Sequence, residues 1–194
     1  FKEFACCGWA HTAVLAAEKL RKEHSFLTKD IVDINIETFH ESTRLGASIP
    51  TTTEEAQYRT GWPVAAMLLE NEVGPRQMRD ERLTDKKMIS LASKVTMAES
   101  KTYSELAEKK YIGDPEGQYT SRVRISLANG TVLDSGEVVT SHNYGGNWSE
   151  EELSAKFRWL VKGVIDDKLA DELIEMVLSL ESVTDVNKLT DLLV

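Results

Sequence analysis

Apolar positions recur along this chain with two different periods. Near the start, Trp9, Ala13, Ala16, Ala17 and Leu20 fall at helical spacing and give one apolar face to a helix ending near His24 and Ser25. Residues 31–39 switch to a period of two. Val32, Ile34 and Ile36 lie on one side and Asp33, Asn35 and Glu37 on the other, as in a strand with one face buried and one wet. Residues 44–50 read as loop. Thr52, three positions before Glu55, opens a helix with the spacing of a capping box. Gly61-Trp62-Pro63 disturbs that helix, because proline lacks an amide hydrogen and clashes with the preceding turn. The helix resumes over 64–69, apolar almost all round and therefore buried.

Residues 74–82 are a polar connection, Thr84 is placed to cap a short helix through Leu91, and 94–97 fit a strand. Residues 101–110 have helical composition with a solvated charged face. Alternation returns over 119–127, with Val123, Ile125 and Leu127 against Arg122, Arg124 and Ser126. Asn129-Gly130 is the strongest short hairpin signal, so 131–139 is the returning strand. A loop at 141–147 holds His142, Tyr144, Gly145 and Gly146. Ser149 and Glu152 then make a second capping box before a helix with Leu153, Phe157, Leu160, Val161 and Val164 on one face. Two more amphipathic helices are predicted over 168–180 and 184–193. The reading is an α+β unit over 1–145, with an antiparallel-containing sheet, followed by an all-helical segment over 146–194. Three short helices make a marginal core, so their apolar faces call for a partner.

Charge and cysteine content narrow the classes. A net charge of −9 argues against broad nucleic-acid binding, although a small anion responds to local charge. The only two cysteines, Cys6 and Cys7, are neighbours, and a vicinal disulfide is strained. Reduced thiols and a cytoplasmic protein fit best. No apolar run is long enough to span a membrane, and no signal peptide is evident. The chain opens without methionine, which suggests a processed chain, a fragment or a beginning further upstream.

Chemistry-bearing residues are few. The four histidines, His11, His24, His40 and His142, lie far apart and share no ligand spacing, so no metal site emerges. No nucleophile elbow or phosphate loop occurs. Asn129-Gly130-Thr131 and Asn147-Trp148-Ser149 match the glycosylation sequon, which matters only in a secreted protein. Lys2, Cys6, Cys7 and His11 crowd the start of the first helix, where cations and free backbone amides suit an anion. By residue type alone these fit a solvated charge, two small core residues and a packed histidine as well as a site.

The opening stretch, FKEFACCGWAHTAVLAAEKL, resembles the start of the small domain in the MmgE/PrpD superfamily, with the pattern Lys-x-aromatic-x-Cys-x-x-x-Ala-His and an alanine-rich helix. EEAQYRTGWPVAAMLLE, SRVRISLANGTVLDSGEV and NWSEEELSAKFRWL resemble three later family stretches in the right order. The resemblance implies dehydratases, decarboxylases and epimerases of small di- and tricarboxylates that use no metal or organic cofactor. It implies an α+β lid inserted in a large helical domain, with the active site between the two. This sequence resembles the lid and the C-terminal return helices only. The family's acid/base histidines, an aspartate and a further lysine belong to the part it lacks.

Carried over by position, Lys2 matches the lid lysine that faces substrate carboxylates and is the implied catalytic residue. His11 matches a recurrent histidine, and Trp62 stands where many members have a site tyrosine. Lys2, His11 and Trp62 are therefore the implied substrate-binding residues. An indole donates one hydrogen bond but cannot shuttle a proton as a phenol does. The implied function is the C-terminal part of a lyase acting by proton abstraction next to a carboxylate. The alternatives are an epimerase of the same superfamily or a non-catalytic binding subunit. The implied partners are a small carboxylic acid, the N-terminal helical chain or segment of the same enzyme, and further copies in a homo- or hetero-oligomer.

Overall fold

The computed structural model describes residues 1–140 and 148–193. The loop at 141–147, with His142, Tyr144, Gly145 and Gly146, lies outside the described residues. Two compact units are distinguished, Phe1–Gly145 and Gly146–Val194.

In the first unit, α1 (His11–Glu23) follows a 3-10 turn at Gly8–Ala10. Its buried face carries Ala13, Val14, Ala16, Ala17 and Leu20, and the small alanines let it lie close to its neighbours. β1 (Ile31–Thr38) comes next, then the short helices α2 (His40–Leu45) and α3 (Thr53–Tyr58), then α4 (Gly61–Glu70). α5 (Asp80–Leu83) and α6 (Lys86–Ala92) lead into β2 (Val95–Glu99). α7 (Lys101–Tyr111) precedes β3 (Thr120–Leu127), β4 (Val132–Asp134) and β5 (Val138–Val139).

Among the described residues the strands form one mixed sheet in the order β2-β1-β3-β4, with β5 also on β3. β1 and β2 run parallel, and the helices between them supply the crossover that parallel pairing requires. β3 runs antiparallel to β1, β4 and β5. Ile34, Ile36, Val123 and Ile125 share the fully buried face on which α1 packs, with α4 and α6 beyond it. The other face carries a charged ladder. Arg122 grips Asp134 with two bonds of 2.7 and 2.5 Å, while Arg124 reaches Asp134 at 3.2 Å and Glu37 at 3.3 Å.

Six sequence expectations change in detail. The register of β1 slips between Ile31 and Asp33, so Ile31 turns inward and Val32 is 58% exposed. Residues 40–45, read partly as loop, form the helix α2. Gly61-Trp62-Pro63 does not kink one helix but begins a second. Pro63 is third in α4, where its amide has no intrahelical partner to lose. Asp85, not Thr84, caps α6, accepting from the amides of Lys87 (2.8 Å) and Met88 (3.2 Å). The Asn129-Gly130 turn has positive φ only at Gly130, and Leu127 N bonds Thr131 O, so it is a turn with a following bulge, not a two-residue loop. The strand it returns is split at Ser135, whose hydroxyl takes over the Val123 amide at 2.9 Å before Gly136 turns at φ +64°.

In the second unit, α8 (Glu150–Val161) starts at a complete Ser149–Glu152 capping box, and α9 (Asp167–Leu178) is capped by Asp166. α10 (Asn187–Asp191) is short. Arg158 and Asp171 pair at 2.9 Å between α8 and α9. Among the described residues of this unit only Ala170 and Leu173 are buried, both on α9, while Leu160, Val177 and Leu178 stay exposed.

Candidate functional site

The residues before α1 are fastened to the unit by their backbone. The Ala5 amide donates to Val73 O at 3.0 Å, and the Cys7 amide to Gln57 O at 2.7 Å. Lys2 is exposed and curls back so that Nζ donates to Cys6 O at 3.3 Å, leaving two of its three protons for another acceptor. Phe4 is buried and meets the His11 ring edge-on, with centroids 5.3 Å apart at 75°. His11, the first residue of α1, is 7% exposed. Cys6 is buried and Cys7 half-buried, both reduced.

The start of α1 is tied to the sheet by hydroxyls. Thr12 Oγ1 lies 2.6 Å from Ser121 Oγ, and Ser121 Oγ lies 2.8 Å from Thr38 Oγ1. All three are fully buried and come from the first turn of α1, the start of β3 and the end of β1. This cluster fixes the turn that carries His11. Thr120 Oγ1, one residue before Ser121, is buried without a hydrogen-bond partner among the described residues.

Aromatic residues cover neighbouring structure. Phe39 stacks on Tyr119 at 4.9 Å, and Tyr111 tilts against Tyr119 at 5.7 Å. Burial pushes the Tyr111 phenol up, helped by its hydrogen bond with Tyr119. Tyr103 donates to Glu137 at 3.2 Å, and burial followed by the charge of Glu137 pushes its phenol up to about 12. Both phenols therefore remain protonated at neutral pH and serve as donors, not bases.

Of the three sequence-derived positions, Lys2 and His11 belong to one tied-down segment, bridged by Cys6 and Phe4. Trp62 is turned elsewhere. It is fully buried at the start of α4, and its indole N–H donates to Gln77 O at 3.0 Å. Its single donor holds the Pro75–Met78 turn against α4, and it presents no surface to a ligand. Thr12, Thr38 and Ser121 were missed in the sequence. Their signal was phase, since Thr38 continues the inward alternation of Ile34 and Ile36, and Ser121 that of Val123 and Ile125. Among the described residues no group of three or more His, Cys, Asp or Glu side chains is placed to hold a metal. No helix among them is long and apolar enough to cross a membrane.

Comparison with known proteins supplies the family. The MmgE/PrpD C-terminal domain matches residues 4–182. The chain belongs to the MmgE/PrpD family. Two curated relatives are cis-aconitate decarboxylases of Aspergillus terreus, one from strain NIH 2624 / FGSC A1156. Each is 25% identical over 205 aligned residues, covering 99% of this chain and 40% of the relative. The chain thus spans less than half the length of the relatives it resembles. The family match begins two residues after Lys2.

Proposed function

We propose that this chain is the lid and the return helices of a lyase that acts on small di- or tricarboxylic acids without a cofactor. The observation that carries this reading is the alignment of nearly the whole chain with cis-aconitate decarboxylase, in a family whose C-terminal domain it matches. A base removes a proton next to a carboxylate, and water leaves from the neighbouring carbon. In the decarboxylating variant, the C–C bond to a carboxylate breaks, carbon dioxide leaves, and the carbon that keeps the electron pair takes up a proton. Either course builds negative charge beside existing carboxylates in a site of low dielectric, where a fixed cation offsets it. Lys2 supplies that cation, and the His11 turn of α1 lines the same place. The base comes from polypeptide outside residues 1–194. An epimerase would begin with the same proton abstraction and end with reprotonation.

The return helices support a helical partner, since α8 buries no side chain and α9 buries only Ala170 and Leu173. Assaying the complete protein with cis-aconitate, 2-methylcitrate and related acids, while following carbon dioxide and alkene absorbance, tests the reading. Turnover of one of these acids is expected. No turnover of any di- or tricarboxylate would overturn it in favour of a binding subunit.

A further inference from the structure

A groove of about 810 Å³ opens at the end of the sheet where β1 and β2 begin, the opposite end from Thr38. Four of its nine lining residues are lysines from separate pieces of chain: Lys29 before β1, Lys86 and Lys87 on α6, and Lys94 before β2. No carboxylate lines it, in a chain with 32 acidic and 23 basic residues. Lys29, Lys86 and Lys87 make no ion pair among the described residues. Asp85, whose carboxylate feels Lys87, is already held by Arg82 at 2.9 Å and by the α6 amides. Lys94 donates to Ile31 O, which steadies its ammonium while leaving two donors. Leu27, Leu69 and Leu91 give the groove an apolar side.

Four lysines and no carboxylate among its lining residues give the groove an excess of positive charge, which in a protein of opposite net charge suits a multivalent anion. Lysine is a point-charge donor well suited to phosphate oxygens. The volume falls within the range of small-molecule pockets, and the leucines suit a planar or apolar body. We propose that this groove binds a nucleoside polyphosphate, with the phosphates on Lys29, Lys86, Lys87 and Lys94 and the base against the leucines. The site lies apart from the His11 end of the unit, so its occupancy is independent of whether the lyase reading holds.

Calorimetric titration of the complete protein with ATP, AMP, tripolyphosphate and citrate in metal-free buffer tests it. Saturable binding of ATP and tripolyphosphate is expected, weaker for AMP. The double variant Lys86→Gln/Lys87→Gln should raise Kd at least tenfold, while Lys101→Gln on α7 leaves it unchanged. Lys86 and Lys87 are exposed on α6, and Lys29→Gln provides a second variant should the double one melt early. The proposal is overturned by no binding of ATP or tripolyphosphate at millimolar concentration, by binding indifferent to these lysines, or by citrate binding more tightly than tripolyphosphate.

Discussion

Thr12 and Ser121 stand 109 positions apart in the chain and share a buried hydrogen bond of 2.6 Å. The Ser121 hydroxyl also reaches Thr38, so one atom joins a helix start to two strand ends. Ser121→Ala removes the side-chain partner of the buried Thr12 hydroxyl, while Thr38 keeps its bond of 3.4 Å to Thr120 O. Because an unmet buried polar group costs more than a hydrogen bond contributes, the variant should lose about 1–3 kcal/mol. Urea unfolding of the complete protein measures this. Thr12→Val combined with Ser121→Ala should cost less than the sum of the two alone, and strict additivity would show that the pair is not coupled.

A second prediction concerns close approach of backbone. A Cβ at Gly117 would lie 2.1 Å from Lys110 N and 2.4 Å from Lys110 Cα, at the end of α7. The obstacle is main chain, which cannot rotate aside. Gly117→Ala should therefore destabilise by about 1–3 kcal/mol, as overpacking does, against the usual benefit of losing a glycine. Gly113→Ala, four residues earlier, meets no neighbouring atom but has φ +77°, so its cost is purely conformational. Equal stability of Gly117→Ala and the parent would refute the contact.

The alkaline limb of stability should carry a Tyr103 component. Its phenol is raised from 10.0 to about 12 in the folded state, first by burial and then by Glu137. Below the unfolded value both states hold the proton, and the contribution to stability is fully present. From about pH 10 the unfolded chain ionises while the folded one does not, so the contribution is lost as pH rises to about 12. Tyr103→Phe should be less stable at neutral pH, lacking the bond to Glu137, yet lose less stability across that window. Parallel losses in the two proteins would mean that Tyr103 titrates normally.

How much of this was legible follows from which contacts are local. The alternation of β1 and β3 showed the sheet because each residue's face is set by its own position in the strand. Val32 faces out instead of in because the bulge depends on pairing with Leu127 and Ser126, far along the chain. Thr84 and Asp85 are both able to cap, and only the incoming path of α5 decides between them. Trp62 shows the largest gap between pattern and place. Its family position suggested a site, but the indole donor is taken by Gln77, fifteen residues on. The lysines of the groove are separated by up to 65 positions and share no motif, so only the fold gathers them.

Lys2 offers the most direct test of the proposed chemistry. It is exposed and bonded only to the Cys6 carbonyl among its described hydrogen bonds, so its removal should barely change unfolding. A di- or tricarboxylate entering a low-dielectric cleft needs fixed cations to offset its lost hydration. If the ammonium also meets charge developing in the transition state, Lys2→Ala should lower turnover by about a hundred- to a thousandfold, the usual loss for one such donor. Lys2→Arg should recover only part of it, because a planar guanidinium differs from an ammonium in reach and shape. A fall in kcat would assign Lys2 to the transition state, whereas a rise in KM alone would assign it to uniform binding of substrate. Steady-state kinetics on the acid that the complete protein turns over decides between these. Near-normal kcat and KM in Lys2→Ala would make Lys2 a solvated surface charge and would remove this chain's one proposed catalytic residue.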